Sequence, residues 1–419
     1  MISIAPLTLL VALVAQPVEA QVGVNIHFTG APQRDLDLIQ EAGFGWVRMD
    51  LAWQAVERVA GEYQFEAYDQ LVAGLAERGI RALFILDYSN SLYEPDQSVR
   101  SAEGRAAFAR FAAAAAARYR GRGVCWEIWN EPNLDQFWHP QPAERDYLAL
   151  VSEVVPAIRA ADPQAKILAP ATSRFPWPFL DFLCAGGLLG QIDQLSVHPY
   201  RAGAPETATA DYQRLRELIR KYTPAGSAPL PIVSGEWGYS NWHQGKPFPR
   251  ERQAAYLARQ FLNNIAAGVQ LSIWYDWCDD GPDPHNTEHN FGAVTQDRAP
   301  KPAFRAMKTL SRMIGKMVFE RRLDTPDGDH ALLFRDPSPG KQVLVVWTED
   351  RAHTVRLAVP GIDKTVAIVG MTGTQTETET SAGTLELELQ PAPSYVELPA
   401  GVPVQGVSGD CPVVRPTTQ

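Results

Sequence analysis

The sequence has little cysteine. Only four cysteines occur in 419 residues, and none stands in a Cys-x-x-Cys or Cys/His spacing that is typical of a metal site. Cys125 and Cys278 lie in apolar segments, where we expect buried free thiols. Cys184 and Cys411 could be joined by a disulfide in an exported protein, but the sequence does not fix the pairing.

The chain also has no run of Lys or Arg. Its formal net charge is -10, and its pI is about 5.4. Binding to nucleic acid or to an anionic membrane surface requires a basic patch, so neither partner is expected. We expect instead a monomer whose substrate is neutral or is recognised locally.

Long apolar runs are missing outside the N-terminus. Residues 4–15 are apolar, and Pro17 and the small residues of 18–20 follow, a pattern typical of a secretory signal peptide. The pattern departs from the usual one because no Lys or Arg stands near its start. The run is short for a membrane span. We therefore expect a secreted or periplasmic protein with signal residues 1–20, and an uncleaved membrane anchor is the alternative.

What the sequence does contain is a repeated alternation of short apolar runs with segments of helical periodicity. Eight such pairs between residues 21 and 315 predict an α/β fold, a (β/α)8 TIM barrel. The predicted strands are 22–28, 46–50, 82–87, 124–129, 166–169, 194–197, 231–234 and 271–275. The predicted helices are 34–42, 65–78, 103–119, 143–160, 178–185, 210–222, 251–267 and 302–314.

The residue composition changes after the predicted barrel. Residues 316–400 are rich in Val, Leu and Thr with Pro-Gly turns, which predicts a small C-terminal antiparallel β-sandwich. The clearest predicted strands are 343–347, 354–357, 366–369 and 385–389. We interpret this domain as packing against the barrel, and an independent sugar-binding module is the alternative. Residues 401–419 lack helical periodicity, so we expect an extended tail.

One short stretch contains the first candidate catalytic residue. Residues 126–133 read Trp-Glu-Ile-Trp-Asn-Glu-Pro-Asn, and the proline stops the strand, which puts Glu131 at its carboxyl end. An apolar wall would raise the pKa of such a carboxyl, as a general acid facing a sugar requires. The alternative is a glutamate that only opens a loop. Glu127 lies on the same strand face but deeper, so we interpret it as a buried structural acid.

A second stretch repeats this design. Residues 231–240 read Pro-Ile-Val-Ser-Gly-Glu-Trp-Gly-Tyr-Ser, an apolar strand that ends in a glycine, a carboxylate and an aromatic ring. Two glutamates at the ends of two strands are what a double-displacement glycosidase needs. One protonates the leaving oxygen while the other attacks the anomeric carbon, which requires carboxyl groups about 5–5.5 Å apart.

These two motifs, in this order, resemble the acid/base and nucleophile signatures of clan A retaining glycoside hydrolases, and the first most resembles family 39. The resemblance implies that Glu131 is the acid/base, that Glu236 is the nucleophile and that Asn130 contacts the sugar 2-hydroxyl. It implies no metal and no organic cofactor. The cluster between Asp276 and His289 has no standard metal-ligand spacing, and we interpret it as a substrate-binding loop.

Further polar residues follow other predicted strands, where loops build the site of a barrel. His27 and Asp87 are candidates from position alone. Arg48 resembles the clan arginine that keeps the nucleophile ionised, and a surface salt bridge is the alternative. His198 and Tyr200 resemble groups that hydrogen-bond near the nucleophile, although a lone histidine is commonly a core residue.

Two tryptophans complete the predicted substrate contacts. By resemblance, Trp274 forms the floor under the reacting sugar, and a core residue is the alternative. Trp138 lies on the loop after Glu131 and is a candidate for lining a subsite.

The predicted function is a retaining glycoside hydrolase. The arrangement of a signal, a barrel and one small terminal domain resembles the bacterial exopolysaccharide (Psl-type) glycosidases of family 39, which implies endo action on a polysaccharide. An exo-acting β-xylosidase-like enzyme and a non-catalytic polysaccharide-binding or assembly protein are the alternatives, and a transglycosylase would use the same residues.

Overall fold

A computed structural model describes residues 16–338 and 340–408. Most of the predicted signal peptide, the predicted turn residue Pro339, Cys411 and the end of the tail lie outside the described residues. The disulfide expected between Cys184 and Cys411 therefore stays a prediction. The last predicted signal residues belong to a short 3-10 helix, Val18–Gln21, in which Val18 is buried.

Eight parallel strands close into a barrel in which β1 pairs with both β2 and β8. The strands are β1 Val22–Asn25, β2 Trp46–Ala52, β3 Arg81–Asp87, β4 Val124–Ile128, β5 Lys166–Ser173, β6 Gln194–His198, β7 Ile232–Trp237 and β8 Leu271–Trp274. Each strand pairs with the next along the chain, so the predicted (β/α)8 barrel is confirmed.

Helices cover the outside of the barrel. They are α1 Gln33–Ala42, α2 Trp53–Val56, α3 Glu66–Ala76, α4 Ala102–Arg118, α5 Glu144–Ala161, α6 Trp177–Ala185, α7 Ala208–Tyr222, α8 Arg250–Ala266 and α9 Pro302–Ile314. The alanine-rich α4 begins at Ser101, whose hydroxyl accepts a hydrogen bond from the Gly104 amide and so caps the helix. The one-turn α2 was not predicted, because four residues carry too little periodicity.

Strand β5 is longer than predicted. The sequence prediction ends this strand at residue 169, because Pro170 cannot donate a hydrogen bond to a neighbouring strand. In the structure the pairing with β6 shifts register between Pro170 and Thr172 and then continues to Ser173. An irregularity of this kind accommodates the proline within the strand.

Beyond the barrel, nine strands form one antiparallel sheet. They are β9 Val318–Arg322, β10 Asp329–Arg335, β11 Lys341–Thr348, β12 His353–Ala358, β13 Thr365–Gly370, β14 Gln375–Ser381, β15 Thr384–Leu389, β16 Ser394–Pro399 and β17 Gln405–Ser408. Four of these were predicted. Within the predicted extended tail, residues 405–408 form β17, which pairs with β12.

The sheet curls so that its two ends share one core. Leu344 and Val346 of β11 are buried in the same cluster as Leu357 of β12 and Leu387 of β15. The outward residues of β12 and β15 are exposed at alternate positions, as expected for strands with one buried face. The domain is thus sandwich-like, but it is built from one continuous sheet.

A buried polar contact joins this domain to the barrel. Glu206 accepts hydrogen bonds from two nitrogens of Arg259, both at 2.7 Å, and from the indole of Trp347 on β11 at 2.8 Å. All three side chains are almost fully buried. Because a buried charge needs its partner, this contact should hold the two domains together.

We expect Glu206→Gln to lower the free energy of unfolding by about 3 kcal/mol, because it leaves the Arg259 guanidinium buried without its counter-charge. Urea denaturation measures the loss. Glu217→Gln, which changes an exposed glutamate of α7, is the matched control. A loss in Glu206→Gln no larger than in this control would show that the contact contributes little.

Candidate active site

The backbone after β4 fixes the position of Glu131. Trp129 and Glu131 have φ angles of 68° and 46°, a left-handed conformation that costs a non-glycine residue roughly 1–3 kcal/mol. Hydrogen bonds hold it: the Trp129 amide donates to the Leu86 carbonyl at 3.1 Å, and the Glu131 amide to the Ala171 carbonyl at 3.0 Å. The neighbouring strands thus anchor the residue that carries the carboxyl group.

On β7, Gly235 similarly fixes the position of the second glutamate. A Cβ atom at this position would lie 2.4 Å from the Ser196 hydroxyl oxygen and 2.9 Å from Oε1 of Glu127. Only a residue without a side chain allows β7 to pass this close to its neighbours. The close approach brings the next residue, Glu236, to the mouth of the barrel.

The two glutamates meet there. One carboxylate oxygen of Glu131, one of Glu236 and a ring nitrogen of His198 all lie within 4.8 Å of one another. Carboxyl pairs of retaining glycosidases stand about 5–5.5 Å apart, whereas those of inverting enzymes stand about 6.5–9.5 Å apart to admit a water. The separation observed fits the retaining geometry.

Arg48 hydrogen-bonds to several polar groups of the site. Its Nε donates to Glu127 at 2.6 Å, and its Nη1 to Glu236 at 2.6 Å and to Asn25 at 3.1 Å. Its Nη2 donates to Oδ1 of Asn130 at 2.8 Å. The arginine is 1% exposed, so the alternative of a surface salt bridge is wrong. Glu127 is the buried acid that was predicted.

The surroundings of Glu236 favour its ionised form. Burial opposes the charge, but the charges of His198 and Arg48, together with the hydrogen bonds from Tyr200 and Arg48, outweigh it and hold the pKa of Glu236 below its usual value. The Tyr200 hydroxyl donates at 2.8 Å. His198 also lies beside Glu131, with its Nδ1 2.9 Å from Oε1, whereas Arg48 and Tyr200 hydrogen-bond to Glu236. The two carboxyl groups therefore stand in unlike environments.

A cleft of about 440 Å³ opens above these groups. Glu131, Glu236 and Tyr200 line it, as predicted. Its other lining residues are Gln136, Phe137, Ser173, Arg174, Arg201, Ala202, Gly238, His243, Gln244, Tyr275, Thr287, Glu288 and Phe291. Asn130 lies just beneath, where its Nδ2 donates to the Tyr88 hydroxyl at 3.0 Å.

Three predicted substrate contacts are fully buried. Trp138 packs edge-on against Trp129 with ring centroids 5.1 Å apart, and Trp274 packs near Tyr239 at 6.5 Å. Neither ring lines the cleft. Asp87 is 0% exposed, and burial together with the negative charge of Asp50 raises its pKa well above the usual value. In this structure none of the three presents a surface to a sugar.

His27 lies at the end of β1, partly exposed. Its Nε2 is 3.4 Å from Oδ2 of the buried Asp276. Burial opposes the charged ring, but the hydrogen bond and charge of Asp276 outweigh it and raise the pKa of His27 to about 9. With Asp280, these residues place three ligand-type atoms within 4.8 Å of one another. Among the described residues, this cluster and the group of Glu131, His198 and Glu236 have the spacing that could hold a cation. In the first cluster, Asp276 already has His27 as an ionic partner.

Tyr275 lines the cleft but was not predicted from the sequence as a substrate contact. It follows Trp274 directly, and its ring lines the cleft 6.5 Å from the ring of Tyr200 and 5.1 Å from that of Phe291. The aromatic floor predicted at residue 274 therefore lies one position later. Side chains of a strand alternate between its two faces. An error of one residue in the predicted strand end therefore exchanges the residue that faces the core with the one that faces the cleft.

A short hairpin after β7 forms another wall that was not predicted. It pairs Trp242–His243 with Lys246–Pro247, and His243 and Gln244 at its turn line the cleft. Strands of two residues leave no periodicity to recognise. The Gln-Gly pair at 244–245 was the available signal, since both residues have positive φ.

Comparison with known proteins identifies this architecture. The family described as Cellulase (glycosyl hydrolase family 5) matches residues 15–281 of the chain. The chain belongs to this family. The match contains both glutamate motifs and all eight barrel strands.

Two curated relatives of this family 5 chain are β-xylosidases. The enzyme of Caldicellulosiruptor saccharolyticus is 28% identical over 228 residues, which are 48% of this chain and 44% of the relative. The enzyme of Geobacillus stearothermophilus is 27% identical over 265 residues, 56% of this chain and 50% of the relative. The matched region thus spans about half the length of each curated relative.

Solved structures extend the similarity over the whole described fold. A family 39 glycoside hydrolase from the gut symbiont Bacteroides cellulosilyticus WH2 superposes with a TM-score of 0.78 at 26% identity, covering 91% of this chain and 82% of that one. A family 39 β-xylosidase from Caulobacter crescentus has a TM-score of 0.66 at 19% identity, covering 92% and 97%. The second likeness concerns the fold alone.

Replacing Tyr200 with phenylalanine should shift the acid limb of glycoside hydrolysis to higher pH. The lost hydrogen bond raises the pKa of Glu236, which the sequence motifs predict to act as an ionised nucleophile, so activity should disappear earlier as the pH falls. The pH dependence of kcat/KM measures this shift. Tyr239→Phe is the control, because that hydroxyl donates to the Gly203 carbonyl. An unchanged acid limb in Tyr200→Phe would contradict the assigned contact.

Proposed function

We propose that the protein is a retaining glycosidase in which Glu236 is the nucleophile and Glu131 the acid/base. The observation that carries this proposal is the separation of their carboxylate oxygens, within 4.8 Å. A covalent glycosyl-enzyme intermediate requires this closeness, whereas an inverting mechanism requires room for a water between sugar and base. The lowered pKa of Glu236 supports the same division of roles.

The reaction proceeds in two steps. In the first, Glu236 attacks the anomeric carbon while Glu131 gives its proton to the departing oxygen. In the second, Glu131 takes a proton from water, which attacks the same carbon and frees Glu236. His198, 2.9 Å from Glu131, and Arg48, 2.6 Å from Glu236, fix the two carboxyl groups through both steps. The roles of Asn130 and His27 in holding the sugar remain part of this proposal.

For the substrate, we propose a β-glycoside with xylose as the first sugar to test. Both curated relatives above are β-xylosidases, and the likeness to a family 39 structure supports kinship with that family within the clan. Endo action on a bacterial exopolysaccharide stays a prediction from the sequence. A panel of aryl glycosides and polysaccharides, with product sizes recorded, separates the two. We also expect a monomer.

Glu236→Gln should abolish hydrolysis of an activated β-xyloside, since no covalent intermediate can form. Glu131→Gln should lower kcat/KM by about 10²–10⁴-fold on substrates that need protonation of the leaving group. Glu217→Gln is the control for a surface glutamate, and circular dichroism checks the fold. If either variant keeps most of its activity, the corresponding role is wrong.

A trapping experiment tests the nucleophile directly. A 2-deoxy-2-fluoro-β-xyloside with a dinitrophenyl leaving group forms its intermediate faster than it is hydrolysed, so the adduct accumulates. Mass spectrometry of the digested protein should find the sugar on the peptide that contains Glu236. An adduct on Glu131 or on another residue would contradict the proposal.

We also propose that the protein is exported through its apolar N-terminus. The support is the run of residues 4–15, which lies outside the described residues. In those described, no helix is long and apolar enough to cross a membrane. Expression of the full chain in a bacterium should deliver processed protein to the periplasm or the medium, with a new N-terminus found by mass spectrometry. Unprocessed protein in the cytoplasm would contradict export.

A further inference from the structure

The charged residues of the cleft are divided between two sides. The loops after β4, β5 and β6 contribute one wall, which contains Glu131 and two arginines, Arg174 and Arg201. The loops after β7 and β8 contribute the adjoining side, which contains Glu236 and a further carboxylate, Glu288. The arginines of the cleft therefore come from the loops after β5 and β6, whereas Glu288 comes from the loop after β8.

The two arginines differ in the hydrogen bonds and ion pairs that their side chains make within the protein. Arg201 donates to the Pro199 carbonyl at 3.0 Å, to Thr207 at 3.2 Å and to Asp211 at 3.2 Å. The exposed side chain of Arg174 has no hydrogen bond or ion pair to any residue in the described part of the chain. In a protein of net charge -10, such an arginine in the cleft is available to a ligand.

The backbone of Arg174 is nevertheless fixed. Its φ is 56°, its amide donates to the His198 carbonyl at 2.7 Å, and its carbonyl accepts from the Thr172 hydroxyl at 3.3 Å. The same strand end accepts the amide of Glu131 at the Ala171 carbonyl. The backbone of Arg174 is therefore fixed next to the strand end that anchors Glu131, the group that would protonate the leaving oxygen.

The side of the cleft formed after β7 and β8 is rich in carboxylates. Partial burial and the negative charges of Glu236 and Asp280 raise the pKa of Glu288. Asp276 and Asp280 lie close to His27, which is the neighbouring cation. An anion brought there by the substrate would be repelled by these carboxylates.

We propose that Arg174 binds an anionic substituent, a carboxylate or a sulfate, on the part of the substrate that leaves with the glycosidic oxygen. This inference rests on the proposed function, because Glu131 as acid defines the leaving-group side. A guanidinium presents a planar pair of donors that matches two oxygens of either anion. The sugar attacked by Glu236 is neutral, and its neighbour is a uronate or a sulfated sugar.

Three disaccharides with the same β linkage test this: xylosyl-glucose, xylosyl-glucuronate and xylosyl-glucose sulfate. Release of xylose gives kcat/KM for each. We expect the wild type to prefer one or both anionic substrates by about tenfold, mainly through KM, and the preference to shrink with added salt. Whichever anion is preferred identifies the source of the charge.

Arg174→Gln should remove this preference, and Arg174→Lys should keep part of it, because lysine preserves the charge without the planar fork. Arg58→Gln, which changes an exposed arginine outside the cleft, is the matched control, and its ratio between anionic and neutral substrates should not change. If wild type and Arg174→Gln have the same ratio while xylosyl-glucose is hydrolysed, this inference is wrong and the glycosidase proposal stands. If none of the three is hydrolysed and no fluorosugar adduct forms, both are wrong.

Discussion

The buried guanidinium of Arg48 is the constraint on which the site depends. A charge this deep is tolerated only when hydrogen bonds and counter-charges surround it, and Arg48 has both in Glu127, Glu236, Asn25 and Asn130. These partners come from β1, β4 and β7 or the residues directly after them. One cation thus aligns the ends of three strands, and Glu236 gains a counter-charge that keeps it ionised.

The same arrangement explains why the barrel accepts strained backbone at its mouth. Trp129, Glu131, Ala171 and Arg174 all have positive φ without being glycine, and each lies at the end of β4 or β5. Hydrogen bonds between neighbouring strand ends hold all four: Trp129 to Leu86, Glu131 to Ala171, and Arg174 to His198. The closed sheet below therefore stabilises conformations that a free loop would not keep.

The barrel could be predicted from the sequence because each strand and helix has its own periodicity, and the glutamates because each stands after a strand in a recognisable motif. Burial was harder to predict. Trp274 and Tyr275 are adjacent aromatic residues, and only the observed end of β8 decides which one faces the cleft. Strands such as Val318–Arg322 and Gln375–Ser381 are largely exposed, so they lack the apolar alternation that identifies a strand.

Charge in the cleft could not be predicted from residue types alone. The chain is acidic as a whole, which suggested a substrate that is neutral or recognised locally. Yet the loops after β5 and β8 bring into one cleft an arginine without a side-chain partner among the described residues and a carboxylate close to other carboxylates. Net charge describes how a protein attracts ligands at a distance, whereas recognition at contact depends on which charges still lack a partner. In the described structure Arg201 is neutralised by Asp211 and Arg174 is not, so the two arginines, alike in sequence, have different consequences for binding.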